Sequence, residues 1–113
     1  MVDKAALVVG GTTTLDAGAN AITLGNAGND FGGTVSATGG TATLRDANAL
    51  DVALHTGATT LDAASLSASG TASSLLATTT GALTSSVGTT GDATYHAGGA
   101  LVFGTSSIGG NLN

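Results

Sequence analysis

Apolar positions recur in pairs along this chain. Six times, a short apolar stretch is followed 8 to 13 residues later by a second one, and the pattern then starts again. Successive first stretches are 15, 28, 16, 17 and 18 residues apart, so four of the five intervals are nearly equal. A period of this length is typical of stacked coils built from short strands. The first-strand anchors are Leu7, Ile22, Leu50, Leu66, Leu83 and Leu101, and the second-strand anchors are Leu15, Val35, Leu61, Leu76, Tyr95 and Leu112.

This pattern predicts an all-β fold, a right-handed parallel β-helix (β-solenoid) of about six coils in one domain over residues 1–113. Connections between parallel neighbouring strands are almost always right-handed, which sets the expected winding. At about 4.8 Å per coil, the stack would be on the order of 30 Å long. Each set of anchors is expected to form one inward column. The long interval from Ile22 to Leu50 contains the extra strand-like segment 41–45, so we expect a longer coil there.

Composition favours strands in a thin core. The chain has 19 Gly, no Pro and only 3% aromatic residues, which is too little bulk for a wide globular core. Gly interrupts nearly every window that a helix would need. Residues 45–56 lack such a breaker, and the spacing of Leu50 and Leu54 leaves one short helix open as an alternative. Disorder is disfavoured, because 42% of the residues are hydrophobic and 8% are charged.

The charge balance excludes several classes of partner. The formal net charge is −5, and Lys4 and Arg45 are the two cations of the sequence. Nucleic acid, anionic membranes and phosphate ligands are therefore not expected as partners. The apolar run Ala5–Val9 is too short for a signal peptide or a membrane span. We expect a segment of a longer shaft, since residues 104–113 read as a second strand with a next coil to follow.

Three segments of the sequence resemble a known kind of repeat. Corners rich in Gly, Asn and Asp lie between short apolar strands in the segments Gly25–Val35, Thr43–Leu50 and Leu101–Leu112. These segments resemble the degenerate repeats of filamentous-haemagglutinin-like exoproteins, the two-partner-secretion adhesins. The resemblance implies a right-handed parallel β-helix that forms the shaft of a large bacterial surface or secreted protein. It also implies export by an outer-membrane partner transporter, and no active site. This sequence contains neither the secretion domain nor a functional tip of those proteins.

Two features invite a metal-binding interpretation. The loop Asn26–Gly33 carries Asn and Asp oxygens that suit Ca²⁺, but it lacks the Gly-Gly-x-Gly-x-Asp period of calcium-binding β-rolls. A structural corner in which Phe31 covers the core is the better interpretation. His55 and His96 each follow an apolar anchor without further ligands at suitable spacing, so solvent-facing strand positions are expected.

Two further functions can be drawn from polar residues. Solenoid enzymes that cleave uronic-acid polymers need clustered carboxylates with several cations, and here Asp30, Asp46 and Asp51 have only Arg45 to accompany them. Ice binding needs Thr-x-Thr in register through successive coils. One Thr column is expected just before the second anchors, interrupted by Leu75 and Asn111, and it is interpreted as a ladder that stabilises a sheet. Its members are Thr14, Thr34, Thr60 and Thr94.

The sequence therefore predicts a structural protein without catalytic residues, cofactor or metal, located outside the cell or on a bacterial surface. The alternatives are a self-assembling filament subunit in its own right, or an ice-binding or polysaccharide-binding solenoid. Neither terminus shows a recognisable cap, so open strand edges are expected to stack end to end on further copies of the chain. The residues predicted to form these assembly ends are Leu7, Val8, Val9, Ile108, Asn111, Leu112 and Asn113.

Overall fold

The computed structural model describes residues 2–113, and this part of the chain is built from strands and loops without a helix. Short strands alternate with tight corners along the whole length. The thirteen strands are β1 (Val8–Val9), β2 (Thr13–Asp16), β3 (Ile22–Leu24), β4 (Asp30–Phe31), β5 (Thr34–Gly39), β6 (Ala42–Arg45), β7 (Ala49–Thr56), β8 (Ala58–Ala63), β9 (Ser65–Ala72), β10 (Ser74–Thr79), β11 (Leu83–Thr89), β12 (Ala93–Ala97) and β13 (Leu101–Phe103).

The strands form two stacked faces of one coil. A six-stranded sheet has the order β13-β11-β9-β7-β5-β2, and a five-stranded sheet has the order β12-β10-β8-β6-β3. Every pairing within them is parallel, because each strand pairs with its equivalent in the next coil. A third, short sheet of β1 and β4 lies beside the first coil. The chain thus makes about five turns of a β-solenoid, which confirms the predicted fold class with one coil fewer than the six expected. The hand of the winding stays a prediction.

One inward column of the six-stranded sheet follows the sequence prediction. Leu50, Leu66, Leu83 and Leu101 pair in register from coil to coil. The first three are at most 4% exposed. A neighbouring column on the same face contains smaller side chains up to its last member, Phe103. Its members are Val35, Val52, Ala68, Ser85 and Phe103.

The five-stranded sheet supplies the opposite wall of the core. Its central inward column consists of Leu24, Leu44, Leu61, Ala77 and Tyr95. The Tyr95 hydroxyl crosses the core to form a buried 2.9 Å hydrogen bond with the Ser85 hydroxyl on the six-stranded sheet. A small residue on one wall therefore accommodates the largest residue of the other, and the buried hydroxyl groups satisfy each other.

Several anchors were assigned to the wrong column. Ile22 lies in the five-stranded sheet, and Leu15 and Val35 lie in the six-stranded sheet, so these three occupy the opposite faces from those predicted. The error begins at Leu7, which precedes β1 and belongs to a segment outside the two main sheets. Because the prediction takes Leu7 as the first strand of the first coil, it exchanges the first and second strands in the early coils. From Leu50 onward, the assignment agrees with the structure.

Two second-strand anchors also differ. The Leu76 side chain is 39% exposed because its neighbour Leu75, at 3%, takes the inward position. Leu112 pairs with Ala93, two positions before the Tyr95 column. In a run of two leucines, only the pairing with the adjacent coils decides which one is buried.

The predicted long coil does not exist. The interval from Ile22 to Leu50 contains the rest of the first coil, β4 and the entire second coil formed by β5 and β6. The alternative of a short helix over residues 45–56 is wrong as well, since residues 49–56 form strand β7. Leu50 and Leu54 are four residues apart, and that spacing places side chains on one face in both a helix and a strand.

The columns predict which leucines the fold requires. Replacing Leu61, which is fully buried, with Asp would place an unpaired carboxylate in the core and should cost several kcal/mol of unfolding free energy. The matched control is Leu76→Asp, which makes the same change on the outer face. Urea denaturation followed by circular dichroism should show loss of structure for Leu61→Asp and a near-native transition for Leu76→Asp. Equal effects of the two substitutions would contradict the assigned columns.

Candidate functional site

A fully buried polar side chain, that of Asn29, lies in the loop that the sequence singled out. The Nδ2 group donates to the carboxylate of Asp3 at 2.7 Å and to the carbonyl of Leu24 at 3.1 Å. Its Oδ1 accepts a hydrogen bond from the backbone N–H of Leu7 at 2.9 Å. The amide is therefore fully used in joining the N-terminal residues to the first coil.

We call residues 2–9 the N-terminal strap, because they cover one end of the stack. Val2 pairs with Thr23 of the five-stranded sheet, and β1 pairs with β4. The carboxylate of Asp3 also accepts a hydrogen bond from the Asn26 N–H at 3.2 Å. The core residues of the first coil are correspondingly closed to solvent, at 8% exposure or less: Leu15, Ile22, Leu24 and Phe31.

The other side of this loop is fixed by a buried carboxylate. Asp46 is 3% exposed and accepts hydrogen bonds from the backbone N–H groups of Phe31 at 3.0 Å and Asn48 at 2.8 Å. The Asn26 Oδ1 is occupied by the Gly28 N–H at 2.9 Å. The loop is thus a corner with Phe31 buried beneath it, as the sequence predicted. The side-chain oxygens of Asn26 and Asn29 are engaged with backbone donors, which leaves these two oxygens poorly suited to bind calcium.

The strap is expected to make the unfolding free energy depend on pH. The hydrogen bond from the Asn29 amide lowers the pKa of Asp3 in the folded state. The contribution of the Asp3 carboxylate to stability is therefore complete above the ordinary Asp pKa of 3.8. It is lost as the pH falls through the lowered pKa of the folded state. Asp3→Asn should remove this part of the acid dependence, and Asp51→Asn, a change of equal charge elsewhere, should leave it. Urea denaturation between pH 2 and 6 measures the difference. Identical acid profiles for Asp3→Asn and the unmodified chain would contradict this role.

The charged residues proposed for polysaccharide chemistry do not cluster. Arg45 instead faces Asp62 in the next coil, with 3.5 Å between Nε and Oδ2, and both side chains are about half exposed. Asp46 is buried in the corner described above. Asp51 lies on the six-stranded sheet, where it accepts a hydrogen bond from the Thr34 hydroxyl at 3.2 Å, and Asp30 lies in β4. The pairing of Arg45 with Asp62 follows from their adjacent register and was missed because the second coil was misplaced.

Neither histidine belongs to a cluster of side chains that could bind a metal ion. His55 in β7 and His96 in β12 are exposed, and the His55 Nδ1 lies 3.4 Å from the Thr71 hydroxyl in the next coil. Across residues 2–113, no three His or acidic side chains lie close enough together to hold a metal ion.

We therefore expect metals to leave this fold unchanged. A ligand that binds only the native state must raise the melting temperature. Thermal unfolding with millimolar Ca²⁺, with Zn²⁺ and with a chelator should give the same midpoint as the untreated chain. A rise of several degrees with Ca²⁺ would identify the Asn26–Gly33 loop as a binding site, and an Asn26→Ala variant would then be expected to lose that rise.

The predicted threonine column is distributed over both sheets. Thr14 and Thr34 belong to the six-stranded sheet, and Thr60 and Thr94 belong to the five-stranded sheet. The outward column that does form on the five-stranded sheet is interrupted by Leu76 and consists of Thr23, Thr43, Thr60, Leu76 and Thr94. A shallow groove of about 390 Å³ runs over this face. The face holds a single threonine column, so it does not meet the Thr-x-Thr requirement for ice binding.

The residues predicted as assembly ends lie at opposite ends of the stack. At the first end, Val8 is 77% and Leu7 37% exposed, whereas Val9 packs against the core. At the last end, Leu112 is 54% exposed, and Ile108 packs against the core and bridges to Thr89. Asn111 and Asn113 are held by backbone hydrogen bonds to β12 and Asp92.

The last end also contains residues that were not predicted as assembly ends. Leu101, Val102 and Phe103 of β13 are each at least 40% exposed. The consecutive run Leu-Val-Phe without a charged neighbour was the sequence signal for this edge.

These features define a repeat protein with the β-solenoid fold, in which polar side chains serve the corners and the first coil. A family model described as repeats of unknown function (DUF5649) matches residues 2–38, which include the strap, the first coil and most of β5. No curated protein and no solved structure matches the chain. Within residues 2–113, there is no helix of the length and apolarity needed to cross a membrane.

Proposed function

We propose that the chain is a non-catalytic structural element, the shaft or fibre segment of a bacterial surface or secreted protein. The proposal rests on one observation: the polar side chains of the chain hold the fold together and do not gather into a site. The buried side chains of Asn29 and Asp46 bind backbone groups of the fold, and the Tyr95 hydroxyl binds the Ser85 hydroxyl. The charged groups on the outer faces are dispersed, and the one salt bridge found in residues 2–113 links adjacent coils.

The repeating coil is suited to such a role. Each turn adds one strand to each sheet at constant spacing, so the stack can be lengthened without a change in its cross-section. The match to a repeat family and the resemblance to filamentous-haemagglutinin-like shafts both support this interpretation. Secretion and surface display form part of the proposal through that resemblance, and recognition of a host ligand would fall to another part of such a protein.

The location of the protein in or outside the cell tests this proposed function. Antibodies raised against the folded chain should label intact bacteria of the source strain, or detect the protein in the culture medium. An antibody against a cytoplasmic enzyme is the control for cell integrity. Labelling that requires permeabilised cells would overturn the proposed surface or secreted role.

A further inference from the structure

The outer face of the six-stranded sheet has small side chains along its middle. The outward positions of β2, β5, β7, β9 and β11 form three columns that run from coil to coil. No side chain of the middle column is larger than Thr, so a second sheet can pack closely against this face. The members of the middle column are Thr14, Ser36, Ala53, Ser69 and Ser86.

A carboxylate and an imidazole flank the middle column. Asp51 and His55 belong to β7, the central strand of these five, and both side chains are exposed. Ala53 lies halfway between them, so they stand on opposite sides of the middle column at equal distances from it. Their neighbours in the two outer columns are neutral hydroxyl residues. These are Thr34, Ser67 and Thr84 beside Asp51, and Thr38 and Thr71 beside His55.

A shallow groove runs along each side of this face. The groove beside Asp51 has a volume of about 330 Å³, and its lining includes the small residues Gly33 and Ala49. The groove beside His55 has a volume of about 390 Å³, and its lining includes Gly57. Each side of the face therefore has room for a side chain from another molecule next to its ionisable group.

The face is complementary to itself. A two-fold axis parallel to the stacking direction, placed over the middle column, brings the face of a second copy onto this one with the coils level. Asp51 of each copy then lies opposite His55 of the other, beside a groove that can take the imidazole ring. Sheets pack face to face at about 10 Å, a distance that an Asp and a His side chain joined by one hydrogen bond span.

The other symmetric arrangement matches the charges less well. A two-fold axis parallel to the strands would place each outer column on itself. Asp51 would then face only Thr34, Ser67, Thr84 or its own copy, and Asp16 is the acid of this face that could reach His55. The axis parallel to the stacking direction is favoured because it gives both Asp51 residues a partner.

We propose that the outer face of the six-stranded sheet is a docking surface for the same face of a second copy, so that two solenoids pair side by side. The contact is isologous and closes on itself. Five strands about 4.8 Å apart, with three outward positions about 6.7 Å apart in each, cover roughly 500 Å² per copy. The two copies together bury about 1,000 Å², which is at the low end for specific interfaces and predicts a weak, reversible dimer.

The two Asp–His pairs are expected to make dimerisation depend on pH and salt. A neutral imidazole donates one hydrogen bond to a carboxylate, and protonation of the ring adds an ion pair. Thr38 and Thr71 adjoin His55 in its own sheet, and the next charged group of that column is Asp16, two coils away. We expect tighter dimerisation at about pH 6 than at about pH 8, and weaker dimerisation as salt rises from about 50 to 500 mM.

Sedimentation velocity at about pH 6 on two charge variants tests the pairing. The unmodified chain should approach twice its 10.5 kDa mass as concentration rises. Asp51→Lys and His55→Asp each set like charges opposite each other, so each variant alone should dimerise at least about 10-fold more weakly. In an equimolar mixture, the introduced lysine faces the introduced aspartate and one native pair remains. The mixture should therefore dimerise about as tightly as the unmodified chain.

The charge-matched control is Asp62→Lys, which makes the same substitution on the outer face of the five-stranded sheet and should leave dimerisation unchanged. Circular dichroism and thermal unfolding check the folding of each variant. If Asp51→Lys does not fold, Ala53→Lys makes the same test by setting two lysines against each other on the two-fold axis.

Three results would overturn the proposal. They are a monomeric unmodified chain at millimolar concentration, association of either single variant equal to that of the unmodified chain, and a mixture that associates no more tightly than its components. All of these measurements use the purified chain, so they are independent of the surface or secreted location proposed above.

Discussion

The parallel hydrogen-bond ladder from coil to coil is the constraint on which this structure depends. Each strand of the two main sheets finds its partners 16 to 22 residues away, in the adjacent coils, and none of these strands pairs with its neighbour in sequence. A local turn therefore cannot set the register, as it does in a hairpin. The register is set instead by the stacking of inward side chains, and a misplaced residue changes the exposure of every residue that follows it in the strand.

The ladder also explains the composition. Corners of successive coils approach so closely that a side chain on many of their glycines would collide with the backbone of the preceding corner. At Gly33, a Cβ would lie 2.6 Å from the carbonyl oxygen of Gly11. Gly70 pairs with Leu54, is exposed, and has a φ of +95°, a conformation that few other residues adopt. A Cβ there would meet the backbone of Leu54.

The sequence predicted the periodic part of the fold well and its beginning poorly. From Leu50 onward, coils of equal length keep the anchors in register, and four leucines form the predicted column. Before Leu50, the strap and the short strand β4 add segments that do not follow the period. Their positions depend on Asn29 and Asp46, whose hydrogen bonds reach partners up to 26 residues away. Asn and Asp in a Gly-rich loop indicate a corner, but sequence spacing does not reveal which distant backbone groups they bind.

The ladder has a consequence at its two ends, where each terminal strand lacks a neighbour. At the first end, the strap supplies that neighbour for part of the coil, and the buried amide of Asn29 fixes it by hydrogen bonds to a charged and to neutral partners. Such bonds to a charged group are stronger than neutral ones, so a short segment can close this end. At the last coil of the described residues, two inward columns end at Leu101 and Phe103, and no buried amide like that of Asn29 lies beside them. Within residues 2–113, the first coil is therefore fixed by a polar network, and the last coil is held by apolar contacts.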